Sequence, residues 1–125
     1  MNFDNVVALC PREVVSLEPL VRNTEDQDEF GLAFAEDAIE EMVVCLAAIE
    51  AAWSAGEFAR LETALKSATE LAERTGLIDV AHVAGEAARL IGGYDEVALA
   101  AVVARLVRVG ETSLATLLEI SYRQI

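Results

Sequence analysis

Apolar residues recur every three or four positions along most of this chain, and that spacing constrains its fold more than any other feature of the sequence. The longest run extends from about Asp26 to Ser54, and its spacing is that of one face of an amphipathic helix. The apolar positions of this first segment are Phe30, Phe34, Ala38, Met42, Cys45, Ile49 and Trp53. Because the same face continues through so many turns, we expect a helix about 45 Å long.

Glycines divide the chain after this run into three further segments with the same spacing. The second segment starts after Gly56 and ends at Gly76, where we expect the left-handed conformation that commonly closes a helix. The third extends from about Ile78 to Ile91 and stops at a pair of glycines, after which Asp95 can cap a fourth. The apolar positions of these segments are Phe58, Leu61, Leu65, Ala68, Ala72 and Thr75; Val80, Val83, Ala84, Ala87 and Leu90; and Leu99, Val102, Val103, Leu106, Val109, Leu114, Leu117 and Tyr122.

These four segments predict an all-α fold, an antiparallel up-down four-helix bundle over residues 26–125, because short connections force neighbouring long helices to run in opposite directions. Gly110 interrupts the pattern within the fourth segment, and we expect it to kink or divide that helix. Residues 1–25 contain both prolines, which prevent one continuous helix there. Their many valines and leucines predict an N-terminal arm or short helix that packs on the bundle, within one domain overall.

The chain is strongly acidic, with 22 acidic residues against nine basic ones and a formal net charge of −13. A phosphate backbone or an anionic membrane surface would be repelled, so the sequence predicts neither a nucleic-acid partner nor a membrane partner. No basic residue lies between Arg22 and Arg60, although ten acidic residues do. We interpret that run as a solvated helix face that keeps the protein soluble, with a docking surface for a basic partner as the alternative.

The sequence offers no motif for metal, cofactor or nucleophilic chemistry, and we predict no metal, no cofactor and no catalytic site. Cys10 and Cys45 match no metal spacing, and we expect both thiols to be reduced. The first residues carry an acid where a secretory signal carries basic residues, and no stretch approaches the ~18 uncharged apolar residues of a membrane span. These features predict a cytoplasmic protein.

The stretch from Gly56 to Gly76 carries a more specific pattern. A Gly-Glu turn is followed four residues after the glutamate by Leu61, then by Lys66, and Gly76 comes ten residues beyond that lysine. The pattern resembles the histidine-containing phosphotransfer (HPt) domain family, the four-helix-bundle relay modules of bacterial phosphorelay signalling. That family typically shows a Gly-Asp turn, a Leu, then His-x-Leu-Lys-Gly, with a Gly ten residues beyond the His. The likeness spans roughly residues 28 to 122.

The active motif of the family is altered here at three positions. Lys66 stands for the phosphoacceptor His, Thr69 for the Lys three residues on, and Glu70 for the Gly four residues on. A lysine amine is almost entirely protonated at neutral pH, whereas an imidazole is mostly the free base, so we expect no phosphoryl transfer to Lys66. The carboxylates of Glu62 and Glu70, each four residues away, would also repel an incoming phosphoryl anion.

The resemblance and its defects together imply a non-catalytic interaction module in two-component signalling that binds a receiver domain or a histidine kinase. The partner-binding positions that it implies are Glu62, Lys66, Thr69, Glu70 and Glu73. The alternative interpretation of these residues is an exposed ion-pair ladder at i, i+4 spacing.

His82, the single histidine of the chain, gives a second register, because Gly92 follows it by ten residues. In this register Gly85 and Glu86 would stand for the Lys and Gly of the family, and the protein would be an active phosphotransfer protein using His82. That register leaves only residues 95–125 to form two further helices. A lone helical histidine is more often structural. A third hypothesis is a helical protein, unrelated to signalling, that associates with itself through an exposed apolar strip.

Overall fold

The chain is all-helical in a computed structural model that describes residues 28–123, with side chains described for residues 36–120. Its helices are α1, Asp28–Ala55; α2, Phe58–Thr75; α3, Ile78–Leu90; and α4, Glu96–Arg123. No strand occurs between residues 28 and 123, which confirms the all-α prediction and the four segments. The predicted N-terminal arm, Cys10 and the side chain of Tyr122 lie outside the described residues.

Each helix packs against the next one along the chain, and α4 also packs against α1. The side chains between them form one apolar core because each helix presents the face that its apolar spacing predicted. Its largest fully buried members are Met42, Ile49, Leu61, Leu65, Leu77, Val80, Val83, Leu106, Val109 and Leu117. Phe58, expected on the buried stripe of α2, is instead 44% exposed. Within residues 28–123, no helix has the combination of length and apolar composition that crossing a membrane requires.

Two glycines close α1 and α2 in the same way. Gly76 has φ +79°, and the backbone N–H of Leu77 donates to the carbonyl of Ala72 at 2.8 Å. Gly56 has φ +68°, and the N–H of the following residue donates to the carbonyl of Ala52 at 3.0 Å. Both are the left-handed endings in which glycine avoids the steric cost of a Cβ, so the prediction for Gly76 is confirmed. Each leaves a connection of only two residues before the next helix.

Asp95 caps α4 as the sequence predicted. Its Oδ1 accepts a hydrogen bond from the backbone N–H of Ala98 at 2.9 Å, which satisfies one of the N–H groups that the first turn of a helix leaves without a partner. The five residues between α3 and α4 include Gly92, at φ +87°.

Gly110 does not divide α4, so the expectation of a division at this residue is wrong. The helix continues through this position from Glu96 to Arg123. Gly110 is buried against Leu46 of α1, and a Cβ at this position would lie 2.7 Å from the Cδ1 atom of Leu46. The glycine is therefore explained by the close approach of two helices rather than by a break in one of them.

Candidate functional site

The predicted partner-binding residues all lie on α2, and the structure places Lys66 on its solvent side. The side chain of Lys66 is 69% exposed, and its Nζ lies 3.7 Å from Oε1 of Glu62, which is itself half exposed. Lys66 directly follows the buried Leu65. Successive helical residues differ by about 100° around the axis, so burial of the Leu65 face turns Lys66 outward. The exposed position expected for Lys66 is confirmed.

The other predicted residues occupy different parts of the same helix. Glu70 and Glu73 are exposed, whereas Thr69 is half-buried. The hydroxyl of Thr69 donates to the carbonyl of Leu65 at 2.8 Å, and this bond ties it to its own helix. Lys66, with Glu62 beside it, is therefore an exposed charged group near the centre of this surface.

The predicted ion-pair ladder is present at its first step, between Lys66 and Glu62. An exposed pair at 3.7 Å contributes about 0.5 kcal/mol or less to stability, so the fold does not require it. Glu70 and Arg74 both line a groove between α1 and α2, which is described below. Glu70 therefore belongs both to the predicted partner-binding surface and to this groove. The other four predicted residues do not line the groove.

That groove runs between α1 and α2, and we refer to it as the α1–α2 groove. Its larger part has a volume of about 560 Å³ and is lined mainly by small or apolar side chains. A second depression of about 500 Å³ shares Val44, Cys45 and Ser67 with it and continues to Glu40 and Glu70. Alanines at positions 48, 51, 59 and 64 leave this space open because their side chains end at Cβ. The groove was not predicted from the sequence, because the spacing of the alanines does not show which helix lies beside them.

Side-chain contacts join α1 and α2 beyond each end of the larger part of the α1–α2 groove. At one end, Nη2 of Arg74 lies 3.1 Å from Oε2 of Glu41, which joins α2 to α1. At the other end, the rings of Trp53 and Phe58 meet edge to face, with their centroids 6.4 Å apart. Edge-to-face aromatic pairs are worth about 1 kcal/mol beyond their buried area. The partly exposed Phe58 is thus accounted for by its contact with Trp53 across the turn.

Negative charge dominates the surroundings of the groove. α1 carries seven acidic residues and no Lys, Arg or His. Both arginines that line the groove have carboxylate partners: Arg74 pairs with Glu41, and Nη1 of Arg60 lies 2.9 Å from Oε2 of Glu57. Their charges are therefore already compensated, and the potential over the groove is negative.

Cys45 lies in the wall of the groove as a half-buried free thiol. Burial raises the pKa of the Cys45 thiol, and the carboxylate of Glu41 raises it further because it disfavours a second negative charge nearby. The thiol is therefore protonated at neutral pH and is a weak nucleophile. This agrees with its interpretation as a small apolar residue.

His82 is exposed on α3, on the side of the helix opposite to the buried Val80, Val83 and Ala84. Its exposure is compatible with an acceptor role. However, the chain from Glu96 to Arg123 forms one helix, whereas the His82 register needs two further helices there. The described helices therefore do not supply the two further helices that the His82 register requires.

Among the residues whose side chains are described, no three His, Cys, Asp or Glu residues are grouped in a way that could hold a metal ion. Comparisons with protein-family models, with curated proteins and with solved structures find no match to this chain.

Proposed function

We propose that this chain is a non-catalytic HPt-like interaction module of bacterial two-component or phosphorelay signalling. In this proposal it folds as an antiparallel up-down four-helix bundle and binds a receiver domain or a histidine kinase. The observation that carries the proposal is the exposed ammonium of Lys66, at the position where the family has its phosphoacceptor and ten residues before the Gly76 that ends α2.

The order of the helix contacts supports the bundle. Connections of two residues follow α1 and α2, and five residues link α3 to α4. Helices that pack together across such short connections run in opposite directions. Because α4 also packs against α1, each of the four helices has two neighbours, as in a four-helix bundle.

The chemistry of Lys66 supports binding rather than phosphoryl transfer. A protonated amine offers three hydrogen-bond donors and no lone pair, so it can pair with an anionic group on a partner but cannot attack a phosphoryl group. Glu62 holds this ammonium on the surface of α2, and the exposed Glu70 and Glu73 lie one and two turns further along the helix. A partner would therefore meet a surface of mixed charge.

The test is a binding measurement with charge-reversed variants. The double variant Lys66→Glu/Glu70→Lys keeps the net charge of −13 but exchanges the charges of the proposed site. Isothermal titration with receiver domains and histidine-kinase domains encoded near this chain should give a dissociation constant at least tenfold higher for the variant, or about 1.4 kcal/mol. The control is Arg89→Glu/Glu96→Lys, which exchanges two exposed charges on α3 and α4. Equal affinity of the wild type and the first variant, with unchanged circular dichroism, would contradict the proposed site.

The second candidate function is phosphotransfer through His82, which its exposure favours. Incubation with a phosphorylated receiver domain separates the two functions. We expect no label on this chain; a label that is absent from His82→Ala would show instead that the protein is an active phosphotransfer protein.

A further inference from the structure

The α1–α2 groove exposes apolar surface that the core of the protein does not use. Val44 lies on its wall and is 68% exposed. Ala48 and Ala51 continue the same wall along α1, and both are exposed. Contiguous apolar surface of this kind, next to charged residues, is typical of interaction sites.

The length of the groove fits one further helix. Its lining on α1 extends from Glu40 to Ala52, which corresponds to about 18 Å at 1.5 Å per residue. Three turns of an incoming helix span that distance. Small side chains on two neighbouring helices let a third backbone approach closely, and its own larger apolar side chains can then fill the space.

Charge decides between the possible occupants. A second copy of this chain would bring another net charge of −13 to an acidic surface. Residues 1–27 carry Asp4, Glu13, Glu18, Glu25 and Asp26 against Arg12 and Arg22, a net charge of −3. Both occupants carry a net charge of the same sign as the groove, which disfavours their binding there electrostatically. A helix with a basic flank has the complementary sign and would meet Glu40 and Glu70, which line one end.

We propose that the α1–α2 groove binds an amphipathic helix of another protein, with an apolar face against Val44, Ala48 and Ala51 and basic residues towards Glu40 and Glu70. This inference goes beyond the proposed function, because Lys66, Glu62, Thr69 and Glu73 do not line the groove. A partner on the groove and a partner on the Lys66 side of α2 would share only Glu70.

The test uses a fluorescein-labelled peptide of 18 residues, built from leucine on one helical face and lysine on the other, titrated with the full-length protein. Two matched peptides are the controls: one replaces every lysine by glutamate, and the other permutes the leucines and lysines so that no apolar face forms. Fluorescence anisotropy should give dissociation constants at least tenfold higher for both controls. The affinity for the amphipathic lysine peptide should fall as sodium chloride is added.

Protein variants locate the binding site. Ala48→Arg places a cation in the groove and should raise the dissociation constant at least tenfold, and Ala51→Arg is the second variant if the first does not fold. The matched control is Ala47→Arg, since Ala47 is exposed on the same helix but does not line the groove. Because Glu70 lies on both surfaces, the single variant Lys66→Glu tests the Lys66 side alone. Ala48→Arg leaves Lys66 and Glu70 intact and tests the groove alone, so failure of one proposal is distinguishable from failure of the other.

Thiol alkylation gives an independent measurement. In a Cys10→Ser background, the lysine peptide should slow the alkylation of Cys45 at least fivefold, because a docked helix covers the groove wall. Equal weakening by Ala47→Arg and Ala48→Arg, or no protection of Cys45, would overturn the inference. So would either of two results without peptide: faster alkylation of Cys45 in Ala48→Arg, which indicates that residues 1–27 fill the groove, or a dimer in sedimentation that Ala48→Arg dissociates.

Discussion

Gly110 has no Cβ at a point where α4 lies very close to Leu46 of α1. Its backbone lies so close to Leu46 that an added Cβ would meet both Cδ atoms of that leucine, at 2.7 and 2.8 Å, and its Cγ at 3.2 Å. Leu46 is itself buried in the core, so it has little room to move. This contact sets how closely α4 approaches α1.

We therefore expect Gly110→Ala to destabilise the protein by about 1 kcal/mol, because overpacking costs about 1–3 kcal/mol and the better helix propensity of alanine returns up to about 1 kcal/mol. Urea denaturation measures the free energy of unfolding. The matched control is Gly85→Ala in α3, where the nearest atom to a new Cβ is Nη1 of Arg89 at 3.9 Å. That variant should be more stable than the wild type by about 0.5–1 kcal/mol. Stabilisation by both changes would mean that α1 and α4 are not in close contact at Gly110.

The helices themselves depend on local signals at their ends. α4 begins where Oδ1 of Asp95 accepts the N–H of Ala98, and the carbonyl of Asp95 accepts the N–H of Leu99. The hydrogen bond to the carbonyl of Asp95 is made by the backbone and does not depend on the side chain. The hydrogen bond to Oδ1 is lost when the side chain has no acceptor.

Asp95→Ala should therefore lower the free energy of unfolding by about 1 kcal/mol, the usual cost of losing a helix N-cap. Asp95→Asn keeps an acceptor in the same position and should cost no more than a few tenths of that amount. Thermal and urea denaturation measure both changes, and hydrogen exchange should be faster in the first turn of α4 for Asp95→Ala. Equal losses for the alanine and asparagine variants would show that the charge, and not the cap, stabilises this end.

Sequence reasoning succeeded where a signal acts within one helix. Gly56 and Gly76 marked the ends of α1 and α2 because a left-handed glycine is a local requirement, and the outward position of Lys66 followed from its place beside Leu65. It failed at Gly110, because the same residue can break a helix or let another helix approach, and only the position of Leu46 decides between them. The α1–α2 groove was missed for a similar reason. Ala48 is an ordinary helix former in the sequence, and a groove exists only once a second helix lies beside it.

The whole molecule carries far more negative than positive charge. Nine basic residues can compensate at most nine of the 22 acidic residues. The remaining carboxylates repel each other more strongly in the compact state than in the unfolded chain.

Added salt should therefore stabilise the protein. Between 0.02 and 0.3 M sodium chloride, screening of the net charge outweighs the loss of weak surface ion pairs. We expect a gain of about 1 kcal/mol, or a melting temperature higher by about 4 °C. Potassium chloride at the same ionic strength serves as the control, because a screening effect does not depend on the cation. A melting temperature that falls with salt would mean that attractive surface pairs, rather than repulsion, dominate the electrostatics of the fold.

The contacts at the two ends of the α1–α2 groove have a consequence for how the molecule meets other molecules. The Trp53–Phe58 ring pair and the Arg74–Glu41 ion pair join α1 to α2 at points far apart along the two helices. A groove that keeps both contacts when a partner covers it loses little conformational entropy. Such a groove would then distinguish partners by how well they fit its existing shape, and not by changing conformation around them.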